Sequence, residues 1–130
     1  MDLVALRTAT AGEPTIVCAW LFGSVARGTA RPDSDVDVAV LADLPVGCDR
    51  LAWQSELEAR LSRVVRRTVQ VVSAERAPAD LVRRILRDGQ LLVDRDRSRR
   101  LAFEVRKRNE YFDMTPVWRL IRRLPPGVAP

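Results

Sequence analysis

The chain has no histidine, only two cysteines and only one lysine, Lys107, among its 130 residues. The missing histidine excludes serine–histidine triads, imidazole general bases and the common zinc sites. Cys18 and Cys48 lack metal-ligand spacing and are expected to be free thiols in a reducing compartment. Chemistry in this chain must therefore rest on carboxylates, hydroxyls, arginines or bound ions. Aromatic residues make up 5% of the chain. None interleaves the basic runs Arg66-Arg67, Arg83-Arg84 and Arg99-Arg100, so a stacking platform for single-stranded nucleic acid is not expected. No apolar run is long enough to span a bilayer. The opening stretch, MDLVALRTATAGEP, has neither a basic start nor a continuous apolar core. It does not read as a signal peptide, and a cytoplasmic location is expected. Internal repeats and low-complexity segments are also missing.

What is present describes one folded domain: 47% apolar and 30% charged residues in a chain of modest length. The net charge of +5 is almost wholly arginine, a side chain suited to phosphates and carboxylates. The plainest reading of the basic runs is a solvated, salt-bridged surface. Direct nucleic-acid binding would rest on charge alone and is not expected. The hydrophobic pattern predicts alternating elements. A short helix spans residues 2–10, and IVCAWLF (16–22) is a buried strand. Ser24 is placed to cap a short helix that Gly28 stops after Arg27. Residues 31–34 turn, and residues 36–41 form a second buried strand. A helix from residue 49 or 50 to 65 carries Leu51, Leu57, Leu61 and Val64 on its apolar face, flanked by Trp53 and Val65. Residues 68–72 form a third strand. A helix from Pro78 or Ala79 to Gly89 carries Leu81, Val82, Ile85 and Leu86, and residues 90–93 form a fourth strand. A charged helix over 97–112 is expected to break at Met114-Thr115-Pro116, with a last helix over 117–124. The fold class is α/β, a small mixed sheet flanked by helices with a C-terminal helical extension. Residues 1–96 form the main domain, 97–124 the C-terminal helices and 125–130 a tail.

The segment FGSVARGTARPDSDVDVAVL (22–41) concentrates the chemistry. Asp33, Asp35 and Asp37 alternate beside a run of valines, although neighbouring carboxylates repel and resist desolvation. Alternate residues of a strand share a face, so Asp35 and Asp37 can grip one divalent cation, or two. Oxygen-only ligation points to Mg²⁺ or Mn²⁺, and magnesium usually completes its shell with substrate phosphates. Gly23 lets the backbone approach closely, and Ser24 adds a hydroxyl to the N–H groups of a helix start, a place for a phosphate oxygen. Arg27 lies one turn on and can contact the same phosphate. Alone, a Gly-Ser before a helix is usually a cap, and a D-x-D is usually a solvated strand end. Together, as Gly23-Ser24, ten residues, then Asp35-Val36-Asp37 between two apolar strands, they form the pattern GSx10DxD.

With this pattern the sequence resembles the minimal nucleotidyltransferase (MNT) family of the DNA polymerase β-like nucleotidyltransferase superfamily. LFGSVARGTARPDSDVDVAVL looks like the family's signature throughout. RLAFEVRKRNEYFDMTPVWR (100–119) is similar to the C-terminal segment of MntA-type antitoxins, which pair with HEPN ribonuclease toxins of the HepT type. The resemblance implies a polymerase β-like nucleotidyltransferase fold and transfer of AMP from ATP to a toxin tyrosine within a hetero-oligomer. It implies Asp35 and Asp37 as catalytic metal ligands, Ser24 as a catalytic and nucleotide-binding residue, and Gly23 and Arg27 at the nucleotide. Arg31 could also stabilise charge.

The family normally has a third carboxylate on the next core strand. The corresponding strand here is TVQVV, and Gln70 occupies that position, with no charge and no useful basicity. Transfer could then be slow, with Asp33, Glu75 or a partner residue substituting. Alternatively the chain inhibits its partner by binding alone, through Phe103, Tyr111, Phe112, Val117, Trp118 and Ile121 of the C-terminal helices. These side chains could equally pack on the chain's own domain. Transfer to a small molecule, as in aminoglycoside nucleotidyltransferases, calls for a larger helical domain for which the chain has little room.

Overall fold

Two strands apolar on both faces must be covered on both faces, and they form the centre of the sheet. They are β1 (Ile16–Phe22) and β2 (Val36–Ala42). The edges are β3 (Val69–Ser73) and β4 (Gln90–Asp94), in the order β3-β2-β1-β4. β1 runs antiparallel to β2 and to β4, and β2 runs parallel to β3. The computed structural model describes residues 1–123, except the side chains of residues 114, 115, 117 and 118. The expected end of the last helix at residue 124 and the tail 125–130 lie outside the described residues.

One face of the sheet packs under α1 (Leu3–Ala11) and α3 (Arg50–Val65). Its core holds Leu6, Leu21, Val36, Val38, Val40, Leu57, Leu61, Val69 and Val71. The other face packs under α4 (Ala79–Asp88) and α5 (Arg97–Arg122), with Trp20, Ala39, Leu41, Val82, Ile85 and Phe103 buried together. The Trp20 and Phe103 rings lie 5.8 Å apart between centroids, so the first half of α5 is anchored in the core. Register shifts along β1, between Ile16 and Cys18 and between Ala19 and Trp20, allow Val17, Cys18 and Trp20 all to serve this second core. Burial, then the nearby Asp94, pushes the Cys18 thiol up to about 12, which makes it inert at neutral pH. The lone lysine also holds α5 down. Buried Lys107 donates to the carbonyls of Glu75 at 2.9 Å and Ala77 at 3.1 Å and faces Glu110 at 3.3 Å.

The expected elements are all present, with three corrections. The buried face of α3 is Leu57, Leu61 and Val65, with Trp53 against the core, whereas Leu51 and Val64 are exposed. The true stripe follows the i, i+4, i+8 row; Leu51 lies off it at the first turn. Secondly, α5 does not break at Met114–Pro116 but runs unbroken to Arg122. Pro116 removes one donor, the partner of the Phe112 carbonyl, and both residues are exposed, so water can serve that carbonyl. Thirdly, Ser24 does not cap α2 (Gly23–Arg27): Phe22 holds the cap position without a side-chain bond, and the helix opens on Gly23.

Candidate active site

Asp37 stands near the start of β2, opposite Phe22 on β1 and Gln70 on β3. Alternation puts Asp35, Asp37, Ala39 and Leu41 on the face that α4 and α5 cover further along. Asp35 is exposed and Asp37 half-buried, so the acidic end of the strand opens beside the covered end. The chain reverses tightly out of β1 through Gly23, at φ +76°, in the left-handed region that glycine tolerates. A Cβ on Gly23 would overlap Asp37 Oδ2 and lie 3.2 Å from its Cγ. Only glycine leaves room for that carboxylate beside the turn.

The next residues complete the rim. Ser24 is half-buried. Its carbonyl accepts from the Thr29 N–H at 3.0 Å and from the Thr29 hydroxyl at 3.4 Å. Gly28, at φ +73°, closes the helix. Exposed Arg27 lies within electrostatic reach of both Asp37 and Asp88. The Gln90 side-chain amide donates to the Ala26 carbonyl at 3.3 Å, tying α2 to β4.

Electrostatics single out Asp37. Burial pushes its carboxyl above the ordinary range, the charge of Asp35 pushes the same way, and Arg27 opposes them. A cation held between the two acids would relieve both costs. The donor set fits a hard divalent ion: two carboxylates, no thiolate and no imidazole. Among the described residues no cluster of three acidic, cysteine or histidine side chains exists to cage a metal without help. Substrate phosphates and water would have to complete its shell.

The residues named from the sequence do not all converge. Gly23, Asp35, Asp37 and Gln70 do, and Ser24 and Arg27 follow Gly23 on α2. Gln70 Nε2 donates to Asp35 Oδ2 at 3.0 Å. Asp33 is exposed on the turn that precedes Asp35. Glu75 cannot supply the missing carboxylate. It lies in the turn beyond Ser73, the far end of β3, which is itself roughly 10 Å along the strand from Gln70, and its side chain faces Arg106 at 3.9 Å. Sequence reasoning missed Arg67, whose guanidinium donates to the Arg31 carbonyl at 3.0 Å and the Ser34 carbonyl at 2.6 Å. It pins the turn that delivers the acids. Its only signal in the sequence was its place just before β3, which the parallel pairing of β2 and β3 brings beside that turn.

The family described as "Polymerase beta, Nucleotidyltransferase" matches residues 5–98, well over half of the chain. No curated protein matches it. Among solved structures, a chain of a toxin–antitoxin with AMP-PNP is 24% identical, with a TM-score of 0.79 over 93% of this chain and 95% of that one. A chain of the toxin–antitoxin MntA-HepT is 21% identical, with a TM-score of 0.70 over 92% and 95%. A chain from the tri-AMPylated Shewanella oneidensis HEPN toxin in complex with MNT antitoxin is 22% identical, with a TM-score of 0.71 over 93% and 95%. At these identities the likeness is one of fold.

Proposed function

The chain belongs to the polymerase β nucleotidyltransferase family, and from that premise we propose that it is an antitoxin that transfers AMP from ATP to a tyrosine hydroxyl of a HEPN ribonuclease toxin. The observation that carries the reading is the contact between the acid pair and the glycine-serine turn: Asp37 fills the space that Gly23 leaves empty. Fold neighbours that are toxin–antitoxin complexes, one with AMP-PNP and one with an AMPylated toxin, support the choice of nucleotide and partner.

Each residue has a distinct task. Gly23 and Ser24 would hold phosphate oxygens through backbone N–H groups and the half-buried Ser24 hydroxyl. Arg27 would offset phosphate charge from the helix side. Asp35 and Asp37 would hold Mg²⁺ or Mn²⁺, which when bound neutralises the polyphosphate. The toxin hydroxyl attacks the α-phosphorus. A new P–O bond forms, the bond to the bridging oxygen breaks, pyrophosphate leaves and the hydroxyl proton passes to solvent or a nearby base. The exposed apolar stripe of α5, Leu101, Val105 and Phe112, is the surface proposed for the toxin, with exposed Leu120 and Ile121 further along the helix. Phe103 is not part of it, being buried on the chain's own core; Val117 and Trp118 lie outside the described side chains.

The test is incorporation of labelled AMP into a cognate HEPN toxin at saturating ATP and Mg²⁺. Label should appear with the native chain and fall roughly a hundredfold or more in the Asp35→Ala/Asp37→Ala variant, the scale of losing a preorganised charge-stabilising group. A toxin left unlabelled by the native chain would refute transfer. The neutral Gln70 beside Asp35 favours a second reading, inhibition by binding alone. ATP binding and toxin silencing without AMP attachment would identify that case.

A further inference from the structure

Gln70 stands in register opposite Asp37 across the parallel pair, yet its side chain bonds Asp35. The direction of that bond is chemically fixed. A carboxylate only accepts, so the amide must present its N–H end to Asp35 Oδ2, at 3.0 Å. This has two consequences. The side of Asp35 nearest β3 meets the positive end of a dipole, which disfavours a cation there. The amide also restrains the Asp35 carboxylate, a long-range tie from a neighbouring strand on an otherwise exposed side chain. What remains for an ion is the space between Asp35 and Asp37, facing Gly23.

We propose that Gln70 is a positioning residue of a single-cation site: it holds Asp35 so that one ion enters with the nucleotide phosphates between Asp35 and Asp37. This rests on the nucleotide-transfer reading above but adds a count and an order to it. With two carboxylates and an amide, the site lacks the third negative charge that a second divalent ion at the acceptor side would require. Hydroxyl activation must then come from the toxin or from water. Position 70 is thus where a carboxylate would admit a second ion, and the amide there instead restrains Asp35.

The experiment counts ions rather than turnover. The native chain is saturated with Mn²⁺ and AMP-PNP, free ligand is removed by rapid filtration, and retained manganese and nucleotide are measured. The native chain should retain them one to one. Gln70→Asp should retain two manganese ions per nucleotide. Gln70→Ala should keep the one-to-one ratio but bind Mn²⁺ about fivefold more weakly, the fold-change of a typical hydrogen bond. Gln70 is exposed on an edge strand, so these variants leave the core intact. Two ions per nucleotide in the native chain would overturn the proposal and leave nucleotide transfer standing. So would one ion in Gln70→Asp, or unchanged affinity in Gln70→Ala. A native chain that retains no AMP-PNP would bring down the transfer reading, and this proposal with it.

Discussion

Two glycines separate the cost of backbone strain from the need for space. Gly23 and Gly28 both sit at positive φ, +76° and +73°. A Cβ on Gly28 would meet nothing within 4 Å, whereas one on Gly23 would run into the Asp37 carboxylate. Gly28→Ala should therefore cost about 1–2 kcal/mol of stability, the left-handed penalty alone, and leave AMP-PNP affinity intact. Gly23→Ala should cost at least as much and also lose AMP-PNP binding by titration calorimetry, because Asp37 must move. Equal affinities in the two variants would mean that Asp37 does not serve the nucleotide. Asp37 supplies a pH test as well. Its carboxyl is raised by burial first and by Asp35 second. A raised carboxyl contributes stability fully below its unfolded value, and that contribution is lost as pH rises through the folded one. Ionised Asp37 thus weakens the fold at neutral pH. Asp37→Asn should melt higher than the native chain at about pH 7 and lose that advantage toward about pH 3, below the unfolded carboxylate range. At this scale much was legible. Alternation alone places Asp35 and Asp37 on one face, since a strand's period does not depend on its neighbours. The Gln70–Asp35 bond and the exclusion of Glu75 depend on strand register, and no local pattern encodes that.

Among the elements, α3 shows most directly where local reading stops. Counting apolar residues selects Leu51 and Val64, but a helix buries a stripe, and its azimuth is set by the sheet beneath. Asp49 fixes the start by accepting from the Ala52 N–H at 3.1 Å. Leu57 and Leu61 then fall on the core, at 1% and 0% exposure, while Leu51 is 76% exposed. Leu61→Ala should cost about 2–5 kcal/mol in denaturant unfolding, transfer loss plus cavity. Leu51→Ala should stay within about 0.5 kcal/mol of the native chain. Comparable losses would mean that the helix is turned from the orientation seen. Helix α5 teaches the converse lesson. A proline inside a periodic stretch is a strong local stop, but one missing donor on an exposed side is a bounded cost. The near half of α5 is held by contacts far away in sequence, Phe103 on Trp20 and Lys107 on the carbonyls of the β3–α4 turn. The order of strands and helices was readable because each is bounded by its own turn residues. Their facing and continuity were not, because those are decided by packing.

Across the whole molecule, charge and apolar surface collect on the same helix. The chain carries a net charge of +5. Helix α5 contains eight basic and three acidic residues, so it accounts for the entire excess and the remaining sequence is balanced. Between α4 and α5 lies a groove of about 350 Å³, lined by Arg83, Leu86, Leu101, Val105, Arg108 and Phe112 among others. Arg83 stacks on the Tyr111 ring at 4.5 Å and donates to its hydroxyl at 3.2 Å, shaping one wall. A basic surface with an exposed apolar stripe repels a second copy of itself and suits a partner with acidic residues around an apolar contact. The groove belongs to the helices that cover the sheet face on which alternation places Asp35 and Asp37. Replacing Leu101, Val105 and Phe112 together by serine should abolish complex formation with the HEPN toxin in size-exclusion chromatography. Because all three side chains are partly exposed and belong to neither core cluster, the triple variant should still fold cooperatively and keep its AMP-PNP affinity. In the proposed complex, raising salt from about 0.05 to 0.5 M should slow association far more than it speeds dissociation, the signature of charge steering at a surface whose binding energy is apolar. A triple variant that still forms the complex and still labels the toxin would place the docking surface elsewhere and leave the acid pair's role untouched.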